Sequence, residues 1–221
     1  IIRDRDGTLD KYIGDCIMAF WGAPVDNERH ALSGVRTALA MGEALAGIND
    51  ICREKGWPPI EIGIGLNTGN MSVGDMGSTV RKAYTVMGDA VNLGSRLEGL
   101  TRNYGVLTIV SEATAVACPE VVFRELDRVT VKGKTEPVAI FEPIGFSDDI
   151  SAAAYAEIEL WNKILSDYRG QKFIEVIQVI DDSRASQSDL AVYNWIYEQA
   201  CHYKIHPPGP EWSGVTVFKT K

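Results

Sequence analysis

Apolar residues recur along this chain with two different periods, and the switches between them outline its elements. Between Thr8 and Gly22 the pattern alternates, with Leu9, Lys11 and Ile13 on one side of Gly14-Asp15 and Ile17, Ala19 and Phe20 on the other. That predicts two strands joined by a two-residue turn with glycine at its first central position. Pro24 breaks the pattern, and Asp26 or Asn27 can cap the next element. Leu32, Val35, Leu39, Met41, Leu45 and Ile48 then repeat at helical spacing, so 28–54 is predicted as one long amphipathic helix ended by Gly56-Trp57-Pro58-Pro59.

Alternation returns at Ile60, Ile62, Ile64 and Leu66, and predicts a hairpin over 60–75 bent at Thr68-Gly69-Asn70. Tyr84-Thr85-Val86 reads as a short strand. Gly88-Asp89 opens a helix that carries Val91, Leu93, Leu97 and Leu100 to about Tyr104. A strand at 107–110, a short helix capped by Ser111, and a hairpin of 121–131 with 138–142 around Lys132-Gly133-Lys134 complete this part. Helices mixed with strand hairpins point to an α+β fold rather than a doubly wound parallel sheet. At the start, Ile1-Ile2-Arg3-Asp4-Arg5-Asp6-Gly7 reads as the end of a helix, with Gly7 in the positive-φ position past it. The expectation is that further chain lies upstream.

After Gly145 the pattern becomes helical throughout. Tyr155, Trp161 and Tyr168, then Tyr193, Trp195, Tyr197 and Tyr203, sit at helical spacing, with Gly170, Asp181-Asp182-Ser183 and Pro207-Pro208-Gly209-Pro210 as breaks. Two units are therefore expected, 1–146 and a helical extension over 147–221 that ends in a short strand or docking segment over Pro210–Val217. Charge does not separate them: 15 basic and 19 acidic residues run through Gly145, and 7 and 11 come after it.

Composition narrows the function classes. With 45% hydrophobic and 24% charged residues, the 221-residue chain can build a core and is not of disordered type. A formal charge of −8 and a pI near 5.0 give no electrostatic footprint for nucleic acid. No apolar run approaches membrane-span length, and no signal peptide opens the chain. Cys16, Cys52, Cys118 and Cys201 are scattered without a C-x-x-C pair, which predicts reduced thiols and a cytoplasmic setting, with membrane attachment of a parent protein left open.

Three segments carry chemistry. They are Asp10-Lys11-Tyr12-Ile13-Gly14-Asp15-Cys16-Ile17-Met18-Ala19-Phe20-Trp21-Gly22, then Tyr84-Thr85-Val86-Met87-Gly88-Asp89-Ala90-Val91-Asn92-Leu93-Gly94-Ser95-Arg96-Leu97-Glu98, and Val131-Lys132-Gly133-Lys134. In this order and spacing they closely resemble the catalytic domain of class III nucleotidyl cyclases, from Ile1 to about Gly145. The resemblance implies a ferredoxin-like α+β core and a head-to-tail homodimer with active sites at the interface. It implies conversion of ATP to 3′,5′-cyclic AMP and pyrophosphate with two Mg²⁺ or Mn²⁺ ions per site.

Residue by residue, Asp15 matches a metal ligand at the tip of a hairpin, where a carboxylate suits a hard cation. On turn chemistry alone, it would only satisfy the loop. Lys11 matches the purine-reading lysine and Thr85 its partner: an ammonium donates to a ring nitrogen, and a hydroxyl can accept from the 6-amino group. Guanylyl cyclases carry an acidic and a cysteine-like residue there, so the pair is of the ATP type. Threonine in place of Asp also resembles a subclass of the family, and that resemblance leaves bicarbonate sensitivity open. Asn92 and Arg96 stand four apart, on one helix face. They match the pair that orients the ribose and stabilises the transferring phosphate, a task suited to a guanidinium; alternatively Arg96 pairs with Glu98 or Asp89. Lys132 matches the triphosphate-binding lysine, with Lys134 a near neighbour.

Two departures from the family stand out. Gly94 replaces the usual alanine. The family's first strand, with the other metal-binding aspartate in an Asp-x-x-Gly-Phe-Thr motif, and its first helix are not found in 1–221. Asp4, Asp6 and Asp10 do not substitute by position. The chain on its own is therefore expected to be inactive, with an upstream sensor region in a parent protein. The rival reading is a non-catalytic cyclase-like regulatory or dimerisation module. A diguanylate cyclase is disfavoured because no Gly-Gly-Asp-Glu-Phe turn exists. Trp161, Leu165, Tyr168, Gly170, Phe173, Val176 and Ile177 resemble a tetratricopeptide helix pair, which cannot bury its own apolar face and is expected to pack on the catalytic part or a partner.

Overall fold

A tight turn and a misaligned ladder shape the first hairpin. In the computed structural model, which describes residues 1–131, 136–184 and 191–218, strands β1 (Thr8–Ile13) and β2 (Cys16–Phe20) pair antiparallel from Ile13↔Cys16 to Thr8↔Phe20. Gly14 takes φ +65° and Asp15 stays at negative φ, as a first-position glycine turn requires. The register slips between Leu9 and Lys11, so Asp10 is the extra residue of a β-bulge. Residues Arg3–Arg5, just before β1, form a 3₁₀ turn. Positive φ falls on Asp6 (58°), not on Gly7. Gly7 is small for another reason: a β-carbon there would lie 2.6 Å from Ile2 Cγ2 and 2.9 Å from Trp21 Cε2.

Helix α1 (His30–Glu54) buries Leu32, Val35 and Ala38. The segment after it corrects the expected hairpin over 60–75. Only Ile64–Leu66 forms a strand, β3, and it pairs in parallel with β6 (Thr108–Ser111). Ile60 does not reach a ladder because its N–H and carbonyl are both taken by the Asn49 side chain, at 2.8 and 3.0 Å. The true hairpin is β4 (Ser72–Gly77) with β5 (Lys82–Met87), turning at residues 78–81. Helix α2 (Asp89–Tyr104) lies so close on β3 that a β-carbon at Gly65 would sit 2.2 Å from Gly94 O and 2.3 Å from Glu98 N.

Helix α3 (Glu112–Val116), with Ser111 accepting from the Thr114 amide, leads to the long strands β7 (Val121–Val131) and β8 (Val138–Phe146). Three helices come next, α4 (Ala152–Arg169), α5 (Phe173–Arg184) and α6 (Ala191–Ile205), and then strand β9 (Thr216–Phe218). The main sheet runs β3-β6-β8-β7-β9, and β9 joins β7 in parallel at Val129↔Thr216. The β1–β2 and β4–β5 hairpins are separate two-stranded sheets. The fold is α+β, as its alternating pattern predicts.

The helical tail shares its core with the sheet. Trp161, Tyr168, Ile180 and Ile196 are buried in one cluster with Leu97, Tyr104, Leu126 and Ile140. Trp161 Nε1 donates to Glu125 O at 2.5 Å, and the buried Arg124 joins Glu142 of β8 to Glu157 of α4, both at 2.5 Å. Asp127, wholly buried on β7, accepts from Tyr104 Oη at 2.7 Å and from the Thr216 side chain. Burial pushes the Asp127 carboxyl up to about 6, against the opposing pull of those hydrogen bonds and of Arg169. The same burial, together with Asp127, pushes the Tyr104 hydroxyl well above its ordinary range.

Candidate active site

The bulge in β1 decides what the first hairpin presents. Strict alternation would send Asp10 and Lys11 to opposite faces, but the surplus residue lets both side chains meet Thr85 on β5. Lys11 Nζ donates to Thr85 Oγ1 at 3.0 Å. Thr85 Oγ1 donates to Asp10 Oδ2 at 2.5 Å, the short distance of a hydrogen bond to a carboxylate. Asp10 Oδ1 lies 3.2 Å from Lys11 Nζ, an ion-pair contact, yet it accepts no hydrogen bond among the described residues. The Asp10 side chain is 1% exposed and the Lys11 side chain 42%. One end of this triad is sealed and the other reaches solvent. Phe20 of β2 lies against Tyr84 of β5 and helps to hold the hairpins together, with ring centroids 6.2 Å apart. Across the β4–β5 ladder Thr85 faces Gly74, where an added β-carbon would meet nothing within 4 Å. Open space therefore lies at Gly74, while Thr85 itself is only 4% exposed.

Two residues after Val86 the chain turns into α2 through Gly88, whose φ of 148° few L side chains adopt. Its carbonyl receives the amides of Val91 and Asn92. Asn67 clamps this end by donating from Nδ2 to Ala90 O at 2.9 Å. Leu93, Leu97 and Leu100 face the core. Asn92 is exposed and Arg96 half-buried, both on the flank of the helix beside that leucine face. Arg96 pairs with neither Glu98 nor Asp89, nor with any other described carboxylate. Among the described carboxylates none takes up its charge, which leaves it available to a ligand. Lys132 lies outside the described residues.

Asp15 stands exposed at the tip of the β1–β2 turn. Its carboxylate can offer oxygen to a hard cation, but among the described residues no group of three His, Cys, Asp or Glu side chains converges on one point. The described residues therefore do not make a two-ion site by themselves. Sequence reasoning set Asp10 aside as a strand residue. Its place in the Lys11–Thr85 contact depends on the pairing register of β1 with β2, which no local signal in the sequence records.

The α+β core agrees with the similarities to known proteins. The adenylate and guanylate cyclase catalytic domain matches residues 2–141, well over half of the chain, and the chain belongs to that family. It is 38% identical over 146 residues to adenylate cyclase 1 of Rhizobium meliloti (strain 1021), covering 66% of this chain and 22% of that protein. It is 38% identical over 149 residues to the adenylate cyclase of Anabaena cylindrica, covering 64% and 29%. The chain thus spans less than a third of these relatives' length. Among solved structures it resembles the guanylyl cyclase Cya2, with TM-score 0.61 and 34% identity over 68% of this chain and 76% of that one. It also resembles the adenylyl cyclase CyaB from P. aeruginosa, with TM-score 0.59 and 29% identity over 67% and 77%. No helix among the described residues is long and apolar enough to cross a membrane.

Proposed function

We propose that this is an adenylate cyclase catalytic domain, which converts ATP to 3′,5′-cyclic AMP and pyrophosphate in cyclic-nucleotide signalling. Similarity to an adenylyl and to a guanylyl cyclase at 29% and 34% identity does not choose between the two bases. The observation that carries the choice is the Lys11–Thr85 contact, which sets an ammonium donor beside a hydroxyl, with open space at the facing Gly74. Adenine presents an acceptor at N1 and a donor at the 6-amino group, and the pair matches both. The 3′-oxygen bonds to the α-phosphorus, the bond to the β-phosphate oxygen breaks, and the hydroxyl proton is lost. Arg96, with Asn92 one turn earlier, would meet the charge on the phosphate in flight. Lys132 would hold the triphosphate.

In such a reaction two divalent ions, Mg²⁺ or Mn²⁺, neutralise the phosphates and the attacking oxygen. Asp15 would contribute one carboxylate, and among the described residues of one copy no group of three such ligands completes the set. The site is proposed to form between two subunits, with Asp15 serving one side and Lys11, Thr85, Asn92, Arg96 and Lys132 the other. Tyr12, Ile13 and Ile17 at the hairpin tip, and Val73, Tyr84 and Met87 on β4–β5, are large apolar side chains left exposed in one copy, as a dimer surface requires. The single metal-binding carboxylate is also what favours the other reading, a non-catalytic cyclase-like regulatory module. Product formation separates the two. The base pocket is tested by Lys11→Glu with Thr85→Cys in the active enzyme, which should shift preference from ATP towards GTP because glutamate accepts from guanine N1–H and its 2-amino group. Unchanged ATP selectivity would remove both residues from the pocket.

A further inference from the structure

We propose that Asp10 is a positioning residue for base selection: it takes the hydroxyl proton of Thr85, leaving that oxygen only an acceptor towards the purine 6-position. The proposal rests on the reading of Lys11 and Thr85 as the base pocket and goes one residue beyond it. A threonine hydroxyl has one proton and two lone pairs, so left alone it serves a 6-amino group and a 6-oxo group equally well. Here the proton points to Asp10 Oδ2 at 2.5 Å, and one lone pair is taken by Lys11 Nζ at 3.0 Å. What remains is a single lone pair. An adenine 6-amino group can donate to it, whereas a guanine 6-oxo group held in the same place faces oxygen against oxygen. Lys11 works in the same direction, since its remaining protons suit the bare N1 of adenine and oppose the N1–H of guanine.

A plain structural role does not account for this arrangement. A countercharge for a lysine that is 42% exposed needs no burial, yet the Asp10 side chain is 1% exposed and one of its oxygens accepts no hydrogen bond among the described residues. That oxygen rests on the Lys11 ion-pair contact at 3.2 Å alone, and burying a carboxylate with so little solvation is costly. The β-bulge aims it at Thr85 all the same. Bulges of this kind commonly re-aim a side chain beside an active site.

The experiment measures binding by the full chain of 3′-deoxy-ATP and 3′-deoxy-GTP, which lack the attacking hydroxyl and so require no turnover, in wild type, Asp10→Asn, Thr85→Val and the double variant. An asparagine amide can donate to Thr85 and release its proton for a 6-oxo group. Asp10→Asn should therefore reduce the preference for the adenine nucleotide by about tenfold or more, chiefly through tighter guanine binding, and should have no such effect when Thr85 is already valine. If Asp10→Asn does not fold, as judged by thermal unfolding, Asp10→Ser is read in the same way. Equal weakening of both nucleotides with an unchanged ratio would overturn the proposal and leave the base pocket standing. So would an identical shift in the Thr85→Val background. A wild type that binds both nucleotides equally would overturn the base-pocket reading itself, and this proposal with it.

Discussion

Arg96 is the residue whose loss should separate catalysis from binding. It stands half-buried on the flank of α2 and pairs with no described carboxylate. In the active, extended enzyme Arg96→Ala should lower kcat by about 10²–10³-fold, or about 3–4 kcal/mol, with little change in KM, because its charge matters most when the phosphate is in transit. A variant that raises KM alone would place Arg96 in ground-state contacts. Asp127 supports a second prediction at this scale. Its folded-state value, about 6, lies above the ordinary 3.8, so the fold favours the protonated form. That contribution is fully present below about pH 4 and is lost as pH rises through about 6, a change on the order of 3 kcal/mol. Denaturant titrations of wild type and Asp127→Asn should therefore diverge across pH 4–6, with wild type losing stability relative to the variant; parallel profiles would contradict the assignment. Lys11, Thr85, Asn92 and Arg96 were legible in the sequence because their neighbours form long runs with fixed spacing. Asp10 was not, since a bulge is a property of two strands and one strand's alternation gives the wrong face.

Among the elements, the contact between β3 and α2 is the one that two glycines make testable. Gly65→Ala would drive a β-carbon to 2.2 Å from Gly94 O and 2.3 Å from Glu98 N, both backbone atoms that cannot swing aside. It should cost about 3 kcal/mol or more. Gly94→Ala faces nothing nearer than 3.9 Å, so it should stabilise α2 by about 0.5–1 kcal/mol, visible as a raised melting temperature. A destabilised Gly94→Ala would mean that the helix sits closer to β3 than described. The same region shows why the expected hairpin over 60–75 did not form. Alternation at Ile60 and Ile62 marks an extended segment, but it does not identify a partner. Asn49 occupies the backbone of Ile60, and β3 pairs with β6, more than forty residues away. Helices fared better because their periodicity is local: α1, α2 and α4–α6 lie close to where their apolar spacing put them.

For the molecule as a whole, the sheet and the helical tail are one hydrophobic body. Trp161 is wholly buried between α4 and β7, so Trp161→Ala should cost about 3–5 kcal/mol in the entire chain, not in a detachable part. Separate unfolding of 1–146 and 147–221 in that variant or in wild type would contradict a shared core. The aromatic spacing of the tail announced its helices, but only tertiary packing shows that Tyr104, Leu126 and Ile140 are covered by them. The central claim is an ATP-selective cyclase site to which this chain brings the base-reading and phosphate-reading side chains and one metal carboxylate. Its most direct test is the quantity of cyclic AMP and cyclic GMP formed from ATP and GTP with Mg²⁺, by residues 1–221 alone and by the same chain joined to a cyclase first strand and helix that carry the other aspartate. The account predicts no product from residues 1–221, because one carboxylate cannot hold two ions for in-line attack, and cyclic AMP in large excess over cyclic GMP from the extended chain. Robust cyclic AMP from residues 1–221 alone would contradict the metal assignment, and a predominance of cyclic GMP would contradict the base pocket.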